Sequence, residues 1–335
     1  MTTHFDLPLD ELRGYRPDLP EPDDLRDFWQ TTLDDAQTYD LDVTWTPYES
    51  PLRTVDVFDV RFSGFGGQRV AAWLLLPRQR SAPLPCVVQY VGYGGGRGMA
   101  HEWLTWSAMG FAHLVMDTRG QGSAYRPGVT PDLDPEGSLP HVPGFLTLGL
   151  PDPSRHYYRR LFTDAVRAIE AAASHPDVDA HRLVTSGASQ GGGMSLAASV
   201  LRGWVLAEPV AAALVDVPFL SHIRRAAELA SVPPYTELVE WCGHHRDKAE
   251  AAFAALSYID VAVLAPHGVA PSLWSVALRD PICPPSTVFA AHNRYGGPAE
   301  IRVWEWNEHE GGEAFQELEQ VAWLASVGVD VQRGA

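Results

Sequence analysis

Early in the chain, apolar residues fall at Leu25, Phe28, Trp29, Leu33 and Ala36, behind Pro22-Asp23-Asp24. That spacing puts them on one stripe and predicts an amphipathic helix with an acidic outer face. Val55 to Phe62 and Val70 to Leu76 then flank Gly64-Phe65-Gly66-Gly67, the mark of a hairpin. Beyond Pro77 the pattern changes to short apolar runs separated by helix-length segments. The runs are Cys86–Val91, Ala112–Met116, His181–Thr185, Val210–Asp216, Ser272–Leu278 and Ile301–Trp304. Buried strands alternating with helices predict an α/β architecture, a mostly parallel sheet with helices on both faces. With the two hairpin strands included, the sheet has roughly eight strands.

The rhythm breaks in three places. Residues 1–50 read as an N-terminal helical arm that packs without chemistry. Residues 122–156 are rich in Pro and Gly and read as a long loop insertion, a length that usually serves function or an interface. Residues 220–266, with helical patterns at His222–Leu229 and Lys248–Leu256, read as a helical insertion over the active site, because α/β proteins place ligands at the carboxyl ends of their strands. The whole of 1–335 is expected to be a single domain carrying these insertions.

Composition narrows the partners. Lys and Arg number 25 against 42 Asp and Glu, a formal net charge of −17. That balance opposes nucleic acid or an anionic membrane as partner. No apolar run is expected to reach the length of a membrane span, and Met1–Leu9 lacks the basic start and apolar centre of a leader. The three cysteines, Cys86, Cys242 and Cys283, form no paired framework. The expectation is a cytoplasmic protein.

The strongest chemical signal is Gly187-Ala188-Ser189-Gln190-Gly191. It follows an apolar run and precedes a helical pattern, the strand–turn–helix of a nucleophile elbow. A serine hydroxyl needs a base, and in α/β hydrolases the chain order is Ser, then acid, then His, each on a loop after a strand. Asp280 follows the run ending at Leu278, and His309 follows the run ending at Trp304. The set predicted from the residues is therefore Ser189 as nucleophile, Asp280 to orient and His309 as base. Two backbone N–H groups must meet the developing oxyanion: Gln190 after the nucleophile, and Tyr93 in the loop Val91-Gly92-Tyr93-Gly94-Gly95-Gly96-Arg97-Gly98. That loop is not a dinucleotide fingerprint, because Arg97 stands where the third glycine belongs. No metal and no cofactor is called for. His244-His245 reads as a solvated helix end, Cys283 as a buried structural thiol, and Trp304-Glu305-Trp306 as strand packing rather than a sugar platform.

These residues carry a family resemblance. Gln89–Tyr93, Gly95–Gly98, Met116–Ser123 with its Arg-Gly-Gln, Gly187–Gly192, Asp216–Leu220, Asp280–Ala291 and His309–Gly312 together resemble the acetyl xylan esterase/cephalosporin C deacetylase family of carbohydrate esterases. The resemblance covers nearly the whole chain. It implies an α/β-hydrolase-fold serine esterase that deacetylates short xylo-oligosaccharides and other small acetylated molecules, the cephalosporin side group included. It also implies a small acyl pocket at Tyr93, Phe219, Pro234 and Ile282, and a homohexamer with sites facing an internal cavity. Two positions depart from the family pattern: Arg279, where an apolar residue is expected, and Glu313, where glycine is common.

Overall fold

The computed structural model describes residues 6–134, 137–138 and 142–331. Residues 1–5, the start of the segment read for a leader, and parts of the 122–156 insertion lie outside that description. Among the described residues nine strands form one sheet: β1 Thr44–Pro47, β2 Val55–Ser63, β3 Arg69–Pro77, β4 Leu84–Tyr90, β5 Ala112–Met116, β6 Val178–Ala188, β7 Ala212–Asp216, β8 Ser272–Ala277 and β9 Ala299–Trp304. Their order is β1-β2-β3-β5-β4-β6-β7-β8-β9. The first three run as an antiparallel meander, β3 joins β5 antiparallel, and from β5 to β9 every neighbouring pair is parallel. The mostly parallel α/β sheet is as the sequence predicts.

The ninth strand is the difference. β1 lies inside the segment expected to be a helical arm, and pairs antiparallel with β2 from Thr44↔Arg61 to Pro47↔Phe58. It is a mostly exposed four-residue edge strand, too short to show an apolar period of its own. The predicted amphipathic helix spans Leu25–Gln37 and buries Leu25, Trp29, Leu33 and Ala36.

Alternation along the strands feeds two layers. Val88 and Tyr90 of β4, with Met116, Val215 and Trp274, pack on the helices Tyr157–Ala173 and Gln190–Trp204. Val87, Val184, Leu214 and Leu273 face the other way, onto Trp106, Trp323 and Leu324. Successive side chains of a strand point to opposite faces, so every parallel strand must be apolar on both. That is why these strands read as continuous apolar runs.

Within 220–266 the chain forms the helices Ile223–Leu229, Tyr235–His244, Ala249–Leu256 and Val261–Leu264. Contrary to expectation, Arg246–His267 is a 22-residue stretch long and apolar enough to cross a membrane by length and composition. Here it folds as short helices with over half of it buried inside the protein. The Asp260 side chain caps one of them by accepting from the Ala262 N–H. The run is apolar because it lies on the sheet's helical layer.

Candidate active site

β6 ends at Ala188, and the helix Gln190–Trp204 begins one residue later, leaving Ser189 alone on the turn. Its backbone sits at φ 57° and ψ −123°, a strained conformation for a residue with a Cβ. The surroundings hold it there. The Ser189 N–H donates to Asp216 at 3.0 Å, and its carbonyl accepts from Gly193 at 3.0 Å and Phe219 at 2.9 Å. The turn tolerates no side chain on either flank. A Cβ on Gly187 would lie 2.4 Å from the Gly191 backbone, and one on Gly191 2.3 Å from the Tyr90 carbonyl oxygen.

Asp280 is fully buried on the loop after β8. One carboxylate oxygen accepts from the backbone N–H groups of Ile282 and Cys283, at 2.8 and 2.9 Å. The other meets His309 Nδ1 at 2.8 Å. An ionised carboxylate only accepts, so Nδ1 carries the ring proton and Nε2 keeps its lone pair. His309 follows β9, and its side chain is 26% exposed, open enough for a solute to reach.

Ser189, His309, Tyr93, Pro234 and Ile282 line one cleft of about 520 Å³. Phe219, expected in the same lining, is instead fully buried behind it, edge-on to Tyr93 with ring centroids 5.8 Å apart. Among the described residues Ser189 makes no hydrogen bond to His309; its hydroxyl lies against the Cys283 thiol. Burial pushes that thiol well above its ordinary pKa, and the Asp280 charge adds to the effect. Asp280, Cys283 and His309 present possible metal-ligating atoms within 4.8 Å of one another. The Asp280 oxygens and His309 Nδ1 are already engaged, as described. Cys283 is thus buried as expected, yet it stands beside Ser189, Asp280 and His309, a placement its sequence position beside the acid loop did not reveal.

Of the two expected oxyanion donors, Gln190 follows Ser189 in the chain and Tyr93 lines the same cleft as Ser189. Neither the Tyr93 nor the Gln190 backbone N–H donates to another group among the described residues. A brace not foreseen from the sequence ties the two segments together. The Gln190 side chain donates to the Val91 carbonyl at 3.1 Å and accepts from Gln121 and Tyr158, each at 2.9 Å. Gln121 in turn accepts from the Gly94 N–H at 2.6 Å. The Arg-Gly-Gln stretch therefore couples the glycine loop to the elbow helix. Its Arg119 is fully buried and forms a two-pronged pair with Asp164, at 2.7 and 2.8 Å.

Trp304 ends β9, but Trp306 lies past the strand and is 76% exposed. It does not pack as strand; the Arg279 guanidinium lies 5.2 Å from its ring centroid. Glu313 takes φ 43°, the left-handed region, which explains why glycine suits that position.

A strained serine between strand and helix, with a carboxylate–imidazole pair on later strand ends, defines an α/β-hydrolase-fold protein. A family model described as Acetyl xylan esterase (AXE1) matches residues 1–327. The acetyl xylan esterase from Paenibacillus sp. R4 is 33% identical, covering 97% of this chain and 100% of that one, with a TM-score of 0.84. Acetyl Xylan Esterase 1 from Thermoanaerobacterium sp. JW/SL YS485 is 29% identical over 96% and 99% of the two chains, with a TM-score of 0.83. Acetyl esterase Axe7A of Xylanibacter ruminicola is 26% identical over 310 residues, which is 88% of this chain and 66% of that relative's length. The chain belongs to the acetyl xylan esterase family and is a carboxylic ester hydrolase.

Proposed function

We propose that this protein removes acetyl groups from small esters, acetylated xylo-oligosaccharides foremost and the cephalosporin acetoxymethyl group among them. The Asp280–His309 pair, whose His309 lines one cleft with Ser189 in a family member, is the observation that supports this most strongly. The Ser189 hydroxyl swings from the Cys283 thiol to His309 Nε2 and attacks the acetyl carbonyl. His309 takes the serine proton as the Oγ–carbon bond forms, and Asp280 stabilises the resulting imidazolium. The Tyr93 and Gln190 N–H groups bind the oxyanion. Collapse breaks the bond to the sugar oxygen, and His309 returns the proton to that leaving alcohol. Water then repeats the sequence on the acetyl-enzyme and releases acetate. No step requires a metal or organic cofactor.

The test is acetate release from acetylated xylo-oligosaccharides, polymeric acetyl xylan, a cephalosporin acetate and simple acetates. Ser189→Ala lowers turnover by about 10⁵–10⁶-fold; a variant keeping a tenth of the activity would sink the assignment. We also propose that copies of the chain form a homohexamer that excludes polymer, a reading supported by the family resemblance. Native mass and the rate on polymeric xylan test it.

A further inference from the structure

Tyr93 is gripped at its hydroxyl and along its ring. Its hydroxyl donates to the Glu237 carboxylate, which presents both oxygens at 2.8 Å. The same oxygen accepts from the backbone N–H of Gly144 at 3.1 Å and of Phe145 at 3.0 Å. One donor and two acceptor positions exhaust what a phenol can offer. Its ring stands edge-on to Phe145 and Phe219, at centroid distances of 5.5 and 5.8 Å. Glu237 belongs to the helix Tyr235–His244, 144 residues further along the chain, and lines the same cleft. Three segments remote in sequence thus meet on one oxygen atom: the glycine loop, the long insertion and the helical insertion.

A carboxylate is an odd lining for a cleft that receives a neutral acyl group. Burial opposes its charge and pushes the Glu237 pKa up, with the Tyr93 hydrogen bond pulling the other way. A partly buried charge persists only where it is well bonded, and hydrogen bonds to an ionised group are roughly twice as strong as neutral ones. Ester cleavage itself assigns no role to a second acid. The same residue whose phenol is clamped supplies, through its backbone, a proposed oxyanion donor.

We infer that Glu237 is a positioning residue that latches the Tyr93 ring and so sizes the acyl end of the cleft for acetyl. The inference rests on the Ser189 esterase reading above. Through the ring it holds the Tyr93 backbone N–H where the oxyanion forms. Glu237→Ala takes away the acceptor of the phenol's proton and leaves the hydroxyl held only by the Gly144 and Phe145 N–H groups, which opens room in the cleft and slackens the donor.

The experiment compares kcat/KM for nitrophenyl acetate and nitrophenyl butyrate in wild type, Glu237→Ala, Glu237→Gln, Tyr93→Phe and the Glu237→Ala/Tyr93→Phe double variant. The wild type favours acetyl by tenfold or more, since each unaccommodated methylene costs about 1–3 kcal/mol. Glu237→Ala lowers that ratio about tenfold, with kcat on acetate falling and KM for butyrate improving. Glu237→Gln, which keeps the shape and a neutral acceptor, retains part of the preference, so the comparison stands even if the alanine variant folds poorly. Because both residues act through one bond, the double variant is no more altered than Tyr93→Phe. An unchanged acyl ratio in folded Glu237→Gln and Glu237→Ala overturns the inference. So do multiplicative effects in the double variant, or a KM rise confined to the alcohol portion of sugar acetates. Absence of acetate release by the wild type would instead overturn the esterase reading itself.

Discussion

The two sides of the cleft are built differently. On the elbow side, Ser189, Gln190 and the glycines around them come from one short stretch, braced by buried polar groups with complete hydrogen bonding: Gln190 on Val91, Gln121 and Tyr158, and Arg119 on Asp164. On the acyl side, Tyr93 is placed by Glu237, Gly144 and Phe145, which arrive from two insertions. On the proposed mechanism, this bonding suits the elbow side, where reaction geometry tolerates little error. The Tyr93 side joins a loop, an insertion and the helix Tyr235–His244, and on the proposed mechanism it is where substrate range can vary without disturbing the reacting groups.

That contrast can be broken most severely at Ser189, where alanine is expected to abolish turnover while leaving the Tyr93 latch intact. Arg119→Met comes next, since it leaves the buried Asp164 carboxylate without its ion partner. A loss of about 3–5 kcal/mol is expected in chemical denaturation; a shift below 1 kcal/mol would mean the elbow side does not depend on this brace. Gln121→Ala cuts the link between Gly94 and Gln190 and is expected to lower kcat about 100-fold with KM nearly constant, the size of a displaced oxyanion donor. Steady-state kinetics on a simple acetate distinguish this from a loss of substrate binding.

A smaller effect depends on pH. Asp216, whose carbonyl anchors the Ser189 N–H, has a carboxyl pushed up to about 6, first by burial and then by nearby Glu317, against hydrogen bonds from Gln320 and Gln316. A carboxyl raised in the folded state holds its proton longer there than in the unfolded chain. Its contribution to stability is therefore complete below about pH 4 and lost as pH rises through about 6, about 3 kcal/mol. Asp216→Asn removes that component, so the variant's denaturation midpoint changes less than the wild type's between pH 4 and pH 8. Least of all, Glu313→Gly relieves a left-handed backbone but loosens the unfolded chain, and a net change within about 1 kcal/mol is expected from thermal melts.

Much of this was legible in the sequence because it is local or periodic. The Gly-x-Ser-x-Gly stretch specifies its own tight turn, since glycine alone fits where backbone meets backbone at Gly187 and Gly191. Strand ends after apolar runs put Asp280 and His309 on successive loops. Less legible were features whose cause lies across the fold. β1 carries no period of its own and exists because β2 offers an edge. Trp306 looked like strand until the chain turned out one pair earlier. Phe219 sits one layer deeper than its motif suggests because the Tyr93 ring covers it.

The amino-acid sequence by itself determined the α/β rhythm, the strained serine and the order of acid and base, all consequences of side-chain period and backbone sterics acting over a few residues. Only the tertiary structure decided that Gln121 braces the glycine loop, that Cys283 lies against the serine and that Glu237 meets the Tyr93 hydroxyl. Those contacts join residues tens to more than a hundred positions apart. A buried polar group takes whichever partner packing brings within hydrogen-bond reach, and no local pattern records which one that is.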